Sequence, residues 1–358
     1  MTKQATEYYL VTGTYTGGLS KGIYVHTFNT EDGSFREISH VETPNPTFLA
    51  VSADEKFVYA VNEIGKDDNG GEISAYAFDK ATGTLRFLNK QLTAGDSPCH
   101  VDIDKSGKWV AVGNYSSGTL AVLPIKEDGS LGEAVTTIKH TGTGANPNRQ
   151  EKPHVHCNIF SKDNKWLFTV DLGIDKVMIY AFDEQTGGLT AGEQPFVKVE
   201  DGKGPRHITF HPNNKFAYVI EELGGSVTAF DYKDGTLNII QDIPSIQPED
   251  SAFIGSADIH ISADGKFLYA SNRGGFNTIA IYSINQETGS LTLLGHQQSG
   301  GEIPRNFTID PSGKFLLAGN QNSDNIAIFN RDEKTGLLTD TDKRITVGKP
   351  VCLKWISK

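Results

Sequence analysis

Apolar and polar residues alternate along most of this chain, and short polar turns cut the alternation at regular intervals. One segment recurs six times: VSADEKFVYAVNE, IDKSGKWVAVGNY, FSKDNKWLFTVDL, FHPNNKFAYVIEE, ISADGKFLYASNR and IDPSGKFLLAGNQ. Each is an apolar run, a polar turn holding Asp, Asn or Gly, a lysine, and a second apolar run. That pattern predicts a β-hairpin. The lysines are Lys56, Lys108, Lys165, Lys215, Lys266 and Lys314, spaced by 52, 57, 50, 51 and 48 residues. A second segment occurs seven times, from IYVHTFNTEDGSF to IAIFNRDEKTGLL, and predicts a further strand entering a glycine-containing turn.

The seventh copy of the first segment is divided between the chain ends. GKPVCLKWISK supplies its opening strand and YLVTGTYTG the returning one, so that Thr14 and Tyr15 align with Asn272 and Arg273. A ring whose first and last strands share a sheet explains a divided repeat, whereas an open solenoid would carry atypical capping repeats. Seven units of about four strands predict an all-β, seven-bladed β-propeller. Residues 1–358 form one domain on this reading, closed by pairing of the N- and C-terminal strands in one shared blade.

The innermost strands of a propeller line a channel, so its chemistry depends on what points into the mouth. With each tip lysine as a ruler, residues nine before it and seven after it return to the same end of the ring. Nine before stand Thr47, Cys99, His156, Arg206, Ala257 and Arg305. Seven after stand Glu63, Tyr115, Leu172, Glu222, Arg273 and Gln321, with Tyr15 from the divided unit. Positions seven and five before the lysine are mostly apolar and predict packing between blades. The mouth positions break that pattern and differ among repeats.

These positions put His156, Arg206, Glu222 and Arg273 around one sector as the candidate catalytic group. Candidate substrate contacts are His154, Arg305 and Glu63. Imidazole can take or give a proton near neutral pH. Two guanidiniums can grip a carboxylate or phosphate and stabilise an oxyanion. The group suits a small anionic substrate with an ester or lactone carbonyl, and it leaves open whether His156 or Glu222 carries the proton. The His154-x-His156 spacing also permits two metal ligands on one strand face, with Asp171 or Glu222 as a third. The neighbouring arginines compete with a cation, so no metal is assigned.

Composition narrows the partners. The formal net charge of −11 argues against a nucleic-acid or anionic-membrane surface while leaving room for a local basic pocket. Three widely spaced cysteines, Cys99, Cys157 and Cys352, form no C-x-x-C pair, and no apolar leader opens the chain. A cytoplasmic protein is expected. The longer Lys108–Lys165 interval holds TGTGANPN, expected as a loop at the mouth.

EKPHVHCNIFSKDNKWLFTVDLGIDKVMIYAFD, GPRHITFHPNNKFAYVIEELGGSVTAFDY and SNRGGFNTIAIY resemble the seven-bladed propeller lactonase family over essentially the whole chain. That family includes propeller-type bacterial 6-phosphogluconolactonases and fungal 3-carboxymuconate-lactonising enzymes. The resemblance implies a site at His156, Arg206, Glu222 and Arg273, with no metal or organic cofactor. It implies hydrolysis of a sugar lactone, 6-phosphogluconolactone to 6-phosphogluconate. In that expectation Glu222 orients His156 to activate water while Arg206 and Arg273 anchor the anion. A carboxymuconate cyclase and a non-catalytic binding platform are the alternatives.

Overall fold

The computed structural model describes residues 6–65, 70–247 and 254–358, which form seven four-stranded antiparallel sheets. Blade 1 pairs Pro350–Ser357, Glu7–Thr14, Gly22–Asn29 and Phe35–Glu42 in that order. The inner strands of blades 2 to 7 are Pro46–Val51, Pro98–Ile103, Val155–Phe160, Pro205–Phe210, Ile254–Ile261 and Pro304–Ile309. Three further strands follow each of them in chain order toward the rim. Inner strands of adjacent blades pack against one another around the ring. Closure occurs as expected: Tyr9 faces Ile356, Val11 faces Lys354 and Gly13 faces Cys352. Among the described residues, helical structure is limited to two short 3-10 turns, Leu172–Ile174 and Gln321–Ser323.

The repeated sequence phrases explain how the blades lock. The aromatic residue after each tip lysine packs on the glycine of the next blade's turn: Phe57 on Gly129, Trp109 on Gly187, Phe267 on Gly336. Two residues further on, Tyr59, Tyr218 and Tyr269 donate their hydroxyls to the carbonyls of Gly129, Gly289 and Gly336 at 3.1, 2.8 and 2.7 Å. Gly336 has φ +74°, and a Cβ there would lie 2.3 Å from Phe267 Cδ1. Gly336→Ala therefore combines left-handed backbone strain with overpacking and should cost about 2–4 kcal/mol. Urea unfolding would measure this, and a loss below 1 kcal/mol would remove the lock from the account.

Candidate active site at the channel mouth

A recurring backbone defect aims side chains into the mouth. The ladder slips between Pro46 and Phe48, Pro98 and His100, Val155 and Cys157, Pro205 and His207, and Pro304 and Asn306. Blade 6 has a wider irregularity between Ser256 and Ile259. A bulge leaves a residue out of the ladder and re-aims its side chain. The residues left out are Thr47, Cys99, His156, Arg206 and Arg305, all nine before a tip lysine, and Ala257 falls within the blade 6 irregularity. The positions seven after it are pinned as well: Glu63, Tyr115 and Glu222 donate backbone N–H to Asn45, Ser97 and Gly204 carbonyls.

A cavity of about 320 Å³ opens at this mouth, within the size range of small-molecule sites. Its lining includes Tyr15 of blade 1, Glu63 of blade 2, Cys99 and Tyr115 of blade 3, and His156 of blade 4. Glu222, Arg273 and Arg305 of blades 5, 6 and 7 complete the circle, together with Arg149 from the loop before blade 4. Depressions of about 370 and 390 Å³ lie around Ser52, Lys105 and Lys126 and around Phe48, Asp102 and Lys354. Neither brings together a comparable set of arginines with an imidazole.

Glu222 is the hub of the mouth. Its Oε1 accepts from Arg149 Nη2 at 2.6 Å, and its Oε2 forms an ion pair with Arg273 Nη2 at 2.8 Å. Arg206 Nε lies 3.1 Å from Oε2 as an ion pair but lacks the angle of a hydrogen bond. Burial raises the Glu222 pKa, yet the charges of Arg273, Arg206 and Arg149 outweigh it and hold the carboxyl at about 2. Burial, then repulsion from Arg273 and Arg305, brings Arg206 down to about 9. Arg206 is only 2% exposed and does not line the cavity, so it sits beneath the floor and supports Glu222. It is held by Ala257 O at 2.6 Å and by His207 Nε2 at 3.1 Å, while His207 Nδ1 meets Asp258 Oδ1 at 2.8 Å.

The expected Glu222–His156 contact is absent, because three guanidiniums take up the carboxylate. His156 is buried, with its ring edge-on to Tyr115 and His207 at centroid distances of 5.6 and 5.3 Å. Its Nδ1 has no hydrogen-bond partner among the described residues. Burial first, then the charges of Arg206, His207 and Arg305, hold its pKa well below the usual histidine value. The imidazole is therefore neutral at physiological pH. Cys99 is an unlike case, since burial and Glu63 push its thiol above the ordinary range and make it a poor nucleophile.

His154, expected as a substrate contact, does not reach the cavity. It stacks on Tyr115 with ring centroids 4.4 Å apart, its Nδ1 is 3.0 Å from Tyr115 O, and its Nε2 is 3.4 Å from Glu151. It props Tyr115 from behind. Glu63 and Arg305 do line the cavity. The Arg305 guanidinium lies 5.4 Å over the Tyr15 ring, and among the described residues it makes no hydrogen bond or ion pair.

Arg149 escaped the repeat ruler because it lies in an insertion outside the repeat. The long Lys108–Lys165 interval was the available signal. Gln150 anchors that loop through its Nε2, which donates to Leu172 O at 2.8 Å and Asp175 Oδ1 at 2.6 Å. Asp175 also accepts from Gly202 N and Gly204 N, joining the loop to the base of blade 5. Among the described residues no group of three His, Cys, Asp or Glu side chains is placed to hold a metal ion. The donor set at the mouth is one for anions.

The mouth of this closed propeller gathers three guanidiniums and two carboxylates beside a neutral imidazole, with Arg206 behind them. The chain belongs to the lactonase family of seven-bladed β-propellers, whose model matches residues 9–355. It is 39% identical to a 6-phosphogluconolactonase of Bacillus subtilis, over 98% of this chain and 99% of that protein. A crystal structure from Bacteroides fragilis, described as a candidate 6-phosphogluconolactonase, matches with 44% identity and a TM-score of 0.94, covering 99% of both chains. The periplasmic gluconolactonase of Pseudomonas aeruginosa matches with 34% identity and a TM-score of 0.94, covering 98% of this chain and 99% of that one.

Proposed function

We infer that this chain hydrolyses a phosphorylated sugar lactone, 6-phosphogluconolactone. The observation that carries the reading is the charge balance of the mouth. Arg149, Arg273 and Arg305 line the cavity against Glu63 and Glu222, a formal excess of one positive charge in a protein of net charge −11, with Arg206 buried behind Glu222. A substrate phosphate supplies the counter-charge, and Arg305 is the lining guanidinium without an ion-pair partner among the described residues.

In this reading the neutral His156 takes a proton from water as the water oxygen bonds to the lactone carbonyl carbon. The carbonyl oxygen becomes an oxyanion facing Arg273, whose orientation Glu222 fixes. Collapse of the tetrahedral intermediate breaks the bond to the ring oxygen, and protonated His156 returns the proton to that oxygen. Arg305 supplies the unoccupied donor fork for the phosphate. Arg206 acts through Glu222 and does not touch the substrate. We place the reaction in the cytoplasm, where three buried cysteine thiols remain reduced. No helix among the described residues is long and apolar enough to cross a membrane.

The gluconolactonase relative favours a second reading in which the substrate lacks phosphate. Arg305→Ala separates the two. Loss of a charged hydrogen bond should raise KM for the phosphorylated lactone by about 10- to 100-fold, with little change for the unphosphorylated one. Equal effects on both lactones would take phosphate recognition away from Arg305.

A further inference from the structure

Glu63 is the second acid at the mouth beside Glu222, and no part of the hydrolytic step uses it. Its Oε1 accepts the Tyr15 hydroxyl at 2.8 Å. Its Oε2 is buried and has no hydrogen-bond partner among the described residues. A buried carboxylate oxygen without a donor is costly and needs an explanation. The side chain lines the cavity, and its backbone is fixed from both sides: Glu63 N donates to Asn45 O at 2.9 Å, and Asn45 Nδ2 donates to Glu63 O at 3.2 Å. The residue is thus held at the cavity wall with one carboxyl oxygen shielded from water and without a donor among the described residues.

We propose that Glu63 selects polyhydroxylated lactones by accepting a substrate hydroxyl at Oε2, and rejects polycarboxylated ones. The proposal rests on the lactonase reading above and narrows its substrate class. A sugar lactone brings O–H donors, which complete the acceptor. A carboxylated muconate brings further anionic acceptors, which meet an acid already bonded to Tyr15 and suffer both repulsion and an unfilled hydrogen bond. Arg305 lies over the face of the same Tyr15 whose hydroxyl Glu63 accepts, so a cation and a carboxylate share one phenol. A phosphate at one end of the ligand and a hydroxyl at the other match that pairing.

The test uses Glu63→Gln, which keeps the size and the acceptor for Tyr15 while removing the charge. Affinity for 6-phosphogluconate and for 3-carboxy-cis,cis-muconate is measured by calorimetry in wild type and variant. Wild type should bind the hydroxylated phosphate at least tenfold more tightly, and the variant should lose roughly 10-fold for it while gaining for the tricarboxylate. Glu63→Asp, which keeps the charge, should retain the discrimination against the tricarboxylate. An unchanged affinity ratio in Glu63→Gln would overturn the proposal. Binding answers this without turnover: an enzyme that hydrolyses no lactone but shows the shifted ratio defeats the lactonase reading alone.

Discussion

Glu222→Gln should both unfold more easily and lose catalysis by a factor of about 1000 or more. Glutamine preserves the shape and an acceptor but withdraws the charge that Arg149, Arg206 and Arg273 share. Removing one partner from a buried ion cluster leaves uncompensated charge and costs about 3–5 kcal/mol. Urea unfolding would read that loss. Because the folded carboxyl is held at about 2 against an ordinary 4.5, its stabilisation is complete above about pH 4.5 and fades as pH falls toward 2. The variant should lack that portion of the acid dependence. Added phosphate should raise its stability more than that of wild type, since the vacated positive charge then has a counter-ion. Wild-type stability in the variant would mean that Glu222 is not the keystone of the arginine cluster.

His156→Gln should do the opposite: nearly full stability, nearly unchanged KM, and kcat lower by about 100- to 10,000-fold, the range for a general base. Its Nδ1 leaves no partner behind when removed, so the fold has little to lose. Burial and the neighbouring arginines hold the imidazole neutral, so the wild-type enzyme should keep its rate as pH drops through 6.5, with the acid limb displaced below that value. A limb centred at 6.5 or above would contradict the site's electrostatics. The contrast between the two variants decides the proton question left open by the sequence. A carboxylate held at about 2 and paired three ways is a weak base, whereas the imidazole is neutral and has no partner at Nδ1.

The propeller was legible because its constraints repeat. An aromatic after the tip lysine meets a turn glycine in the next blade, so each copy restates the same packing problem and the seven periods are visible without coordinates. The mouth positions were legible for a related reason, since the bulge recurs nine residues before each tip lysine and exposes whatever stands there. What could not be inferred is partnership. His154 and His156 flank a single residue, yet one stacks behind Tyr115 and the other enters the cavity, because the slip between Val155 and Cys157 breaks simple alternation. Arg149 comes from the insertion in the long Lys108–Lys165 interval, and without it Glu222 has the look of an acid available to orient a histidine. Glu63 and Arg305 sat at ruled positions, but their unmatched hydrogen-bonding capacity is visible only in three dimensions.

Closure of the ring through Pro350–Ser357 has a consequence for biosynthesis. Tyr15 and Glu63 leave the ribosome early and Arg305 late, yet Tyr15 N is bonded to Lys349 O, in the segment leading to that last strand. Until that strand docks, a nascent chain lacks the bond that ties Tyr15 to the closing segment. Activity should switch on in a single step when the final strand docks, so a partly translated product has no catalytic life of its own.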